Sequence, residues 1–322
     1  AAARDELAPF FADPSWRAVD WPAHTHRAEL FGAEVNYVSL GEGDRTVVFV
    51  HGLGGCWQNW LENLPATAAA GYRAIALDLP GFGRSDMPVE PISITGFART
   101  VDALCEHLDL GPVALVGNSM GGFTSAETAI RHPARVERLV LVDAAGISSA
   151  AMARSAAGER FARAVLARNL NGNPELATRM LRRPGFIALG MGIVARYPTL
   201  LGKDLLAEQL LSAGAPGFHP SFEAILAYDF GDRLGEIGCP TLIVQGTEDI
   251  LVPLGDALEF EERIPEAVAL ILEDTGHVPM LERPATFNTA MLEFLGQDVA
   301  PHEPTAEESP LLAEAHAHGG EA

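Results

Sequence analysis

Positive charge is scarce in this chain. Its 322 residues carry 22 Lys and Arg against 43 Asp and Glu, a net charge of −21. A nucleic-acid partner needs basic surface to neutralise phosphates, and electrostatic docking on anionic lipid needs the same. Neither is expected, and an acidic, self-repelling surface is the plain reading. Cysteine is equally scarce. Cys56, Cys105 and Cys239 stand far apart, odd in number and without metal-ligand spacing. That excludes a disulfide framework and predicts buried free thiols in a reducing compartment, with one disulfide plus one free thiol as the alternative. No run of about 18 uncharged apolar residues occurs, so no membrane span is expected. Arg4, Asp5, Glu6, Asp13 and Arg17 interrupt any apolar signal core in residues 1–25. No signal peptide is visible, and a cytoplasmic location is the expectation, with processing ahead of Ala1 left open.

What the chain does have is concentrated at residues 112–122, Pro-Val-Ala-Leu-Val-Gly-Asn-Ser-Met-Gly-Gly. Val113 to Val116 reads as a strand buried on both faces of a parallel sheet. Gly117-Asn118-Ser119-Met120-Gly121 then gives the pattern G-x-S-x-G, and residues 123–131 have helical spacing up to Pro133. Strand, sharp turn and helix are the context that makes this pattern chemical. Side chains two residues before and two after such a tight turn would collide, so glycine is the type needed at 117 and 121. Ser119 is therefore the candidate nucleophile, held on a strained turn above the sheet.

Read in order, the chain starts with an irregular arm, 1–25, anchored by Trp16 and Trp21. Residues 26–31 and 34–40 predict a hairpin around Phe-Gly-Ala, and 46–50 a buried strand. A helix is expected over 57–70, closed by Gly71. Further strands are expected at 73–77, 139–142, 241–245 and 268–272, with helices at 95–108 and 284–295, the last led by proline. This alternation implies βαβ units. It stops from about 147 to about 234, where helical pieces broken by Asn171-Gly172-Asn173-Pro174, Pro184-Gly185, Tyr197-Pro198 and Ala215-Pro216-Gly217 predict a helical insertion, with an exposed apolar inner face expected from Phe186, Ile187, Leu189, Met191 and Ile193. Residues 297–322 are acidic, contain no Lys or Arg and predict a disordered tail.

Four segments together identify a resemblance. They are His51-Gly52-Leu53-Gly54-Gly55, residues 78–86 (Asp-Leu-Pro-Gly-Phe-Gly-Arg-Ser-Asp), the elbow 117–122, and Gly246-Thr247-Glu248-Asp249 with Gly276-His277. Over roughly 26–296 the chain resembles the α/β-hydrolase superfamily; its segment 277–284 resembles that of many esterases and lipases, and its elbow 117–122 also resembles that of the carbon–carbon bond hydrolase branch. The resemblance implies an α/β fold with an eight-stranded, mostly parallel sheet, helices on both faces and a helical cap. The domains expected are an arm (1–25), a hydrolase core (26–146 and 235–296), a cap (147–234) and an acidic tail (297–322).

Each site residue then has a role. A serine hydroxyl needs a base. His277, after the final strand, follows both nucleophile and acid in the order expected of this fold. Asp249 is the acid that would fix the imidazole tautomer. Asp143, ending the preceding strand, is its rival, because some relatives place the acid there. Asp78 and Asp86 read as structural. The backbone N–H groups of Leu53 and Met120 are the expected oxyanion donors. The glycine-rich loop has no Lys-Ser or Lys-Thr after it, so it is not a phosphate loop. No zinc spacing surrounds His277. Neither a cofactor nor a metal is called for, and the expected partner is a small ester. The function expected is a serine carboxylesterase or lipase-like hydrolase. Carbon–carbon bond hydrolysis on the same triad is the alternative, although Val278 stands where that branch tends to carry Trp. Perhydrolase activity and a hydrolase-fold ligand-binding protein are further alternatives. The dehalogenase and epoxide-hydrolase branches use an aspartate nucleophile and do not fit Ser119.

Overall fold

The computed structural model describes residues 15–149, 191–212 and 214–297. Eight strands form one sheet: β1 Thr25–Leu30, β2 Ala33–Leu40, β3 Thr46–Val50, β4 Arg73–Leu77, β5 Val113–Asn118, β6 Val136–Val142, β7 Thr241–Gly246 and β8 Ala267–Leu272. Their spatial order is β1-β2-β4-β3-β5-β6-β7-β8. The hairpin β1–β2 and the β2–β4 pair are antiparallel, and every pairing from β4 to β8 is parallel. Phe31 and Gly32, both at positive φ, make the two-residue turn of the hairpin.

The described α-helices are α1 Leu64–Ala69, α2 Ile94–His107, α3 Met120–Arg131, α4 Lys203–Gln209, α5 Phe218–Ala227, α6 Leu254–Arg263, α7 Pro279–Glu282 and α8 Pro284–Gly296. Ser93 caps α2, its Oγ accepting the Gly96 N–H at 3.0 Å. The central strands β3, β5 and β7 are buried along their whole length. Their side chains alternate between two apolar layers. Val48, Val50, Leu115, Leu141 and Ile243 point into one layer, with Phe97 and Val101 of α2, Phe123 of α3 and Phe260 of α6. Val47, Phe49, Val116, Val142 and Val244 point into the other, with Leu64 of α1 and Phe287, Met291 and Leu295 of α8. Helices on both faces follow from that double apolar character.

Three sequence expectations need adjustment. The helix expected over 57–70 is a 3-10 turn, Trp57–Trp60, followed by the short α1. Pro65 lacks an N–H and so starts a new helix instead of continuing an old one. Helix α6 was not anticipated. Met191, expected on an open apolar face of the insertion, lies buried in the second core layer with Ala195 and Val278. Cys56 and Cys105 are buried free thiols and Cys239 is a half-buried one.

The insertion expected at 147–234 is described only outside 150–190 and 213. Its later part, 191–234, holds α4, α5 and 3-10 turns at Pro198–Leu200 and Gly231–Glu236. Phe186, Ile187 and Leu189, the breaks at 171–174 and 184–185, and the tail from 298 onward lie outside the described residues, as do arm residues 1–14. Trp16 is buried, its Nε1–H donating to Glu62 Oε1 at 2.8 Å. Among the described residues, no helix is long and apolar enough to cross a membrane.

Candidate active site

All five candidate residues follow the carboxyl ends of parallel strands, the edge where ligands of open α/β sheets bind. Leu53 follows β3, Ser119 and Met120 follow β5, Asp249 follows β7 and His277 follows β8. Ser119 has φ 55° and ψ −118°, a conformation that only an over-determined turn sustains. Three backbone bonds hold it. Ser119 N–H donates to Val142 O at 2.9 Å, and Ser119 O accepts from Phe123 N–H at 3.0 Å and Ala145 N–H at 3.1 Å. The glycine requirement is steric. A Cβ on Gly121 would lie 2.1 Å from Val50 O, and one on Gly117 2.3 Å from Gly121 O.

The acid and base meet directly. His277 Nδ1–H donates to Asp249 Oδ2 at 2.7 Å, with both side chains buried. This leaves Nε2 as the nitrogen that can take a proton. At 2.7 Å the two atoms are in direct hydrogen-bond contact. Burial opposes the Asp249 charge. The His277 ring, with Leu251 and Val252 N–H groups at 2.7 and 3.1 Å on Oδ1, outweighs it and holds the carboxyl below its ordinary range. Glu248, its sequence neighbour, turns away towards Arg196. Asp143 does not bond His277, yet one polar atom from each of Asp143, Asp249 and His277 falls within a 4.8 Å cluster.

The glycine-rich loop reaches the elbow. A Cβ on Gly52 would stand 3.2 Å from Ser119 Cβ. His51 fixes this loop. Leu79 N–H donates to its Nε2 at 2.9 Å, so Nδ1 carries the proton and donates to Gly52 O at 2.8 Å. Burial lowers the pKa of His51, which keeps the ring neutral for both bonds. Asp78, read as structural, accepts from Trp57 N–H (2.7 Å), Asn36 Nδ2 (2.9 Å) and Arg84 N–H (2.9 Å), tying this loop region to β2 and to the loop after β4. Met120 opens α3, where the first N–H groups lack intrahelical acceptors. The ring of Phe218, on α5, lies over Gly54, 3.2 Å from where its Cβ would be.

Two positioning residues were not singled out from the sequence. Asn118, the second residue of the elbow pattern, donates through Nδ2 to Val142 O (3.1 Å) and His277 O (3.0 Å), stapling the base loop to the nucleophile turn. Glu282 is buried and accepts Gly276 N–H at 2.9 Å on one oxygen and Arg196 N–H at 2.7 Å on the other, while His277 N–H donates to Val194 O at 2.8 Å. Residues 194–196 of the insertion are thus sewn to the loop that carries His277. Burial raises the Glu282 carboxyl to about 7. A buried, hydrogen-bonding role gives a polar residue no period or spacing, so neither residue had a sequence signal beyond its place in a motif.

A family model described as "alpha/beta hydrolase fold" matches residues 45–284. The chain is 34% identical over 290 residues to a Pseudomonas putida protein named as the dihydrolipoyllysine-residue acetyltransferase component of an acetoin cleaving system, covering 89% of this chain and 73% of that one. It is 32% identical over 275 residues to a Pseudomonas putida 2-hydroxy-6-oxononadienedioate/2-hydroxy-6-oxononatrienedioate hydrolase, covering 81% and 91%. Among solved structures it resembles the enol-lactonase of Burkholderia xenovorans LB400, with a TM-score of 0.65, 25% identity and coverage of 84% and 100%. The chain belongs to the α/β-hydrolase family, and hydrolysis is the chemistry this family membership supports.

Proposed function

We propose that the protein is a serine hydrolase that cleaves carboxylic esters of small to medium acyl groups through an acyl-Ser119 intermediate. The observation that carries this reading is the 2.7 Å His277–Asp249 bond at the sheet edge that also holds the strained Ser119. Ser119 Oγ attacks the ester carbonyl carbon and its proton passes to His277 Nε2. The oxygen, now negative, sits between the N–H groups of Leu53 and Met120. Imidazolium then protonates the leaving alkoxide as the C–O bond breaks. Water attacks the acyl-serine, giving its proton to His277, and Ser119 leaves with that proton as the carboxylic acid departs. Asp249 stays ionised throughout and stabilises the imidazolium. The name of the 34%-identical relative is that of an acyl-transferring component, and ester hydrolysis is acyl transfer to water. We assign residues 147–234 to a cap over this site, an assignment supported by Phe218 lying against Gly54.

A second reading, carbon–carbon bond hydrolysis, is favoured by the 32%-identical relatives named as 2-hydroxy-6-oxo-dienedioate hydrolases. Val278, buried in the core layer beside His277, supplies no polar group for the dienoate. Parallel assays of p-nitrophenyl butyrate and a 2-hydroxy-6-oxo-dienoate, on wild type and Ser119→Ala, test the choice. Ester turnover that exceeds dienoate turnover and is lost in the variant is expected. Efficient dienoate cleavage with negligible ester turnover would replace the first reading with the second.

A further inference from the structure

Leu53, the expected oxyanion donor, sits in a tight turn. Gly55 N–H donates to Gly52 O at 3.0 Å, and Gly54, with φ 74°, takes the left-handed third position that a type II turn requires. A side chain packs against the end of that turn. A Cβ on Gly55 would lie 1.9 Å from Asn59 Oδ1, so the Asn59 amide lies where only glycine leaves room. Asn59 belongs to the 3-10 turn Trp57–Trp60, and its Nδ2 donates to Oε1 of Gln209, the last residue of α4. Gln209 is buried, and its Nε2 donates to Gln58 O at 2.9 Å. The far end of this chain of amides fixes its direction. Gln58 O can only accept, so Gln209 turns its nitrogen to Gln58 and its oxygen to Asn59. Asn59 must then present its own nitrogen to Gln209, which leaves its oxygen against Gly55. A side chain of the insertion is in this way linked, through one intermediate, to the backbone of the oxyanion turn.

We propose that Gln209 is a positioning residue for the reaction: through Asn59 it holds Gly55, and with it the turn 52–55, in the place that aims Leu53 N–H at the oxyanion. The proposal rests on the reading above of Ser119 as nucleophile and Leu53 as oxyanion donor. A turn rich in glycine has many backbone conformations open to it, and an oxyanion donor gives its full effect only when it is already in place. Hydrogen bonds between amides supply a directional restraint that apolar packing does not. The oxyanion exists in the tetrahedral state and not in the bound ester, so loss of this restraint falls on kcat and spares KM.

The test measures kcat and KM on p-nitrophenyl butyrate, and Ki for butylboronic acid, whose tetrahedral adduct on serine uses the same N–H groups. The proteins compared are wild type, Q209L, N59A, N59A/Q209L and S212A. Q209L keeps the bulk of the side chain and loses both amide bonds. Its kcat should fall about tenfold, part of the cost of about 10²–10³-fold for deleting an oxyanion donor outright, with KM within about twofold of wild type. The boronate Ki should rise by the factor that kcat loses. N59A should match Q209L, and the double variant should lie within about twofold of either single one, because the two residues act in series. Ser212 ties the same stretch of the insertion to the loop after β4, its Oγ accepting Gly83 N–H at 3.2 Å. S212A therefore loosens the insertion without touching the amide chain, and should keep kcat within about threefold of wild type. A Q209L kcat within about twofold of wild type overturns the proposal. So does a KM that rises while kcat holds, an unchanged boronate Ki, or S212A as damaged as Q209L. Where Q209L does not fold, N59A carries the same expectations. Full activity in S119A would instead reject the nucleophile reading itself, which separates the two failures.

Discussion

Gly121→Ala adds one methyl group at the tightest contact of the elbow. The new Cβ would stand 2.1 Å from Val50 O and 2.6 Å from His51 O, and both obstacles are backbone. Relief needs the start of α3 and the end of β3 to part by about 1 Å. Those are the two segments that hold Ser119 and the Leu53 loop. Misplacing reacting groups by that distance costs about 10²-fold in rate, and forced overpacking costs about 2 kcal/mol. For a chain of 322 residues, with about 2.1 cal/mol/K of unfolding entropy per residue, that is a fall in Tm of about 3 °C. Gly255→Ala is the matched control. It makes the same chemical change in the first turn of α6, where an added Cβ meets nothing within 4 Å. Alanine there gains up to about 1 kcal/mol of helix propensity and should leave kcat unchanged. Steady-state assays on p-nitrophenyl butyrate and thermal melts of both variants give the comparison. If Gly121→Ala kept more than half of wild-type kcat with an unchanged Tm, the steric account of the elbow would be wrong.

Other expectations follow from the same contacts. Ser119→Ala should lose about 10⁴-fold or more in kcat and stop reacting with a fluorophosphonate probe, while a melt shows an intact fold. Across acetyl to decanoyl p-nitrophenyl esters, kcat/KM should rise to about butyryl or hexanoyl, at about 0.8 kcal/mol per buried methylene, and then fall; a flat profile would refute an acyl pocket under the cap. Glu62 is buried, its carboxyl raised to about 7 by burial against the Trp16 N–H bond. Between its ordinary 4.5 and about 7 the unfolded chain releases this proton and the folded chain keeps it, so Glu62 subtracts stability as pH rises, about 3 kcal/mol in all. Glu62→Gln should therefore gain stability relative to wild type across that window, read as a growing Tm difference, and a difference that stays constant with pH would contradict it.

The strands were legible because burial on two faces writes itself as continuous apolar runs, and β3 and β4 match the expected residues end to end. Glycine spacing made the elbow turn readable, and chain order put forward Asp249 and His277, whose side chains bond each other. Helix α6 was not, although Pro253 and Asp256 mark its start and Arg263 its end. Its buried stripe is narrow, Ala257 and Phe260, while Leu254 and Leu258 of the same helix are 37% and 51% exposed. That mixture blurs the apolar period. The roles of Asn118 and Glu282 depend on backbone groups far away in sequence, such as His277 O and Arg196 N–H, and no local pattern encodes such a partner. Asp143 was visible as a carboxylate at a strand end. That it shares the site with Asp249 became visible only once β6 and β7 lay side by side.

The pairing of β6 with β7, Leu139 with Thr241 through Val142 with Val244, joins two halves of the chain that contribute different parts of the machinery. The first half carries Ser119 and both oxyanion candidates, and the second carries Asp249 and His277. The chain between β6 and β7 runs through residues 143–240. The seam between β6 and β7 is therefore where an active molecule is assembled from two incomplete pieces. Expressed as separate polypeptides divided within that stretch, each piece would be inert, and recovered turnover would report their reassociation along this one strand pair.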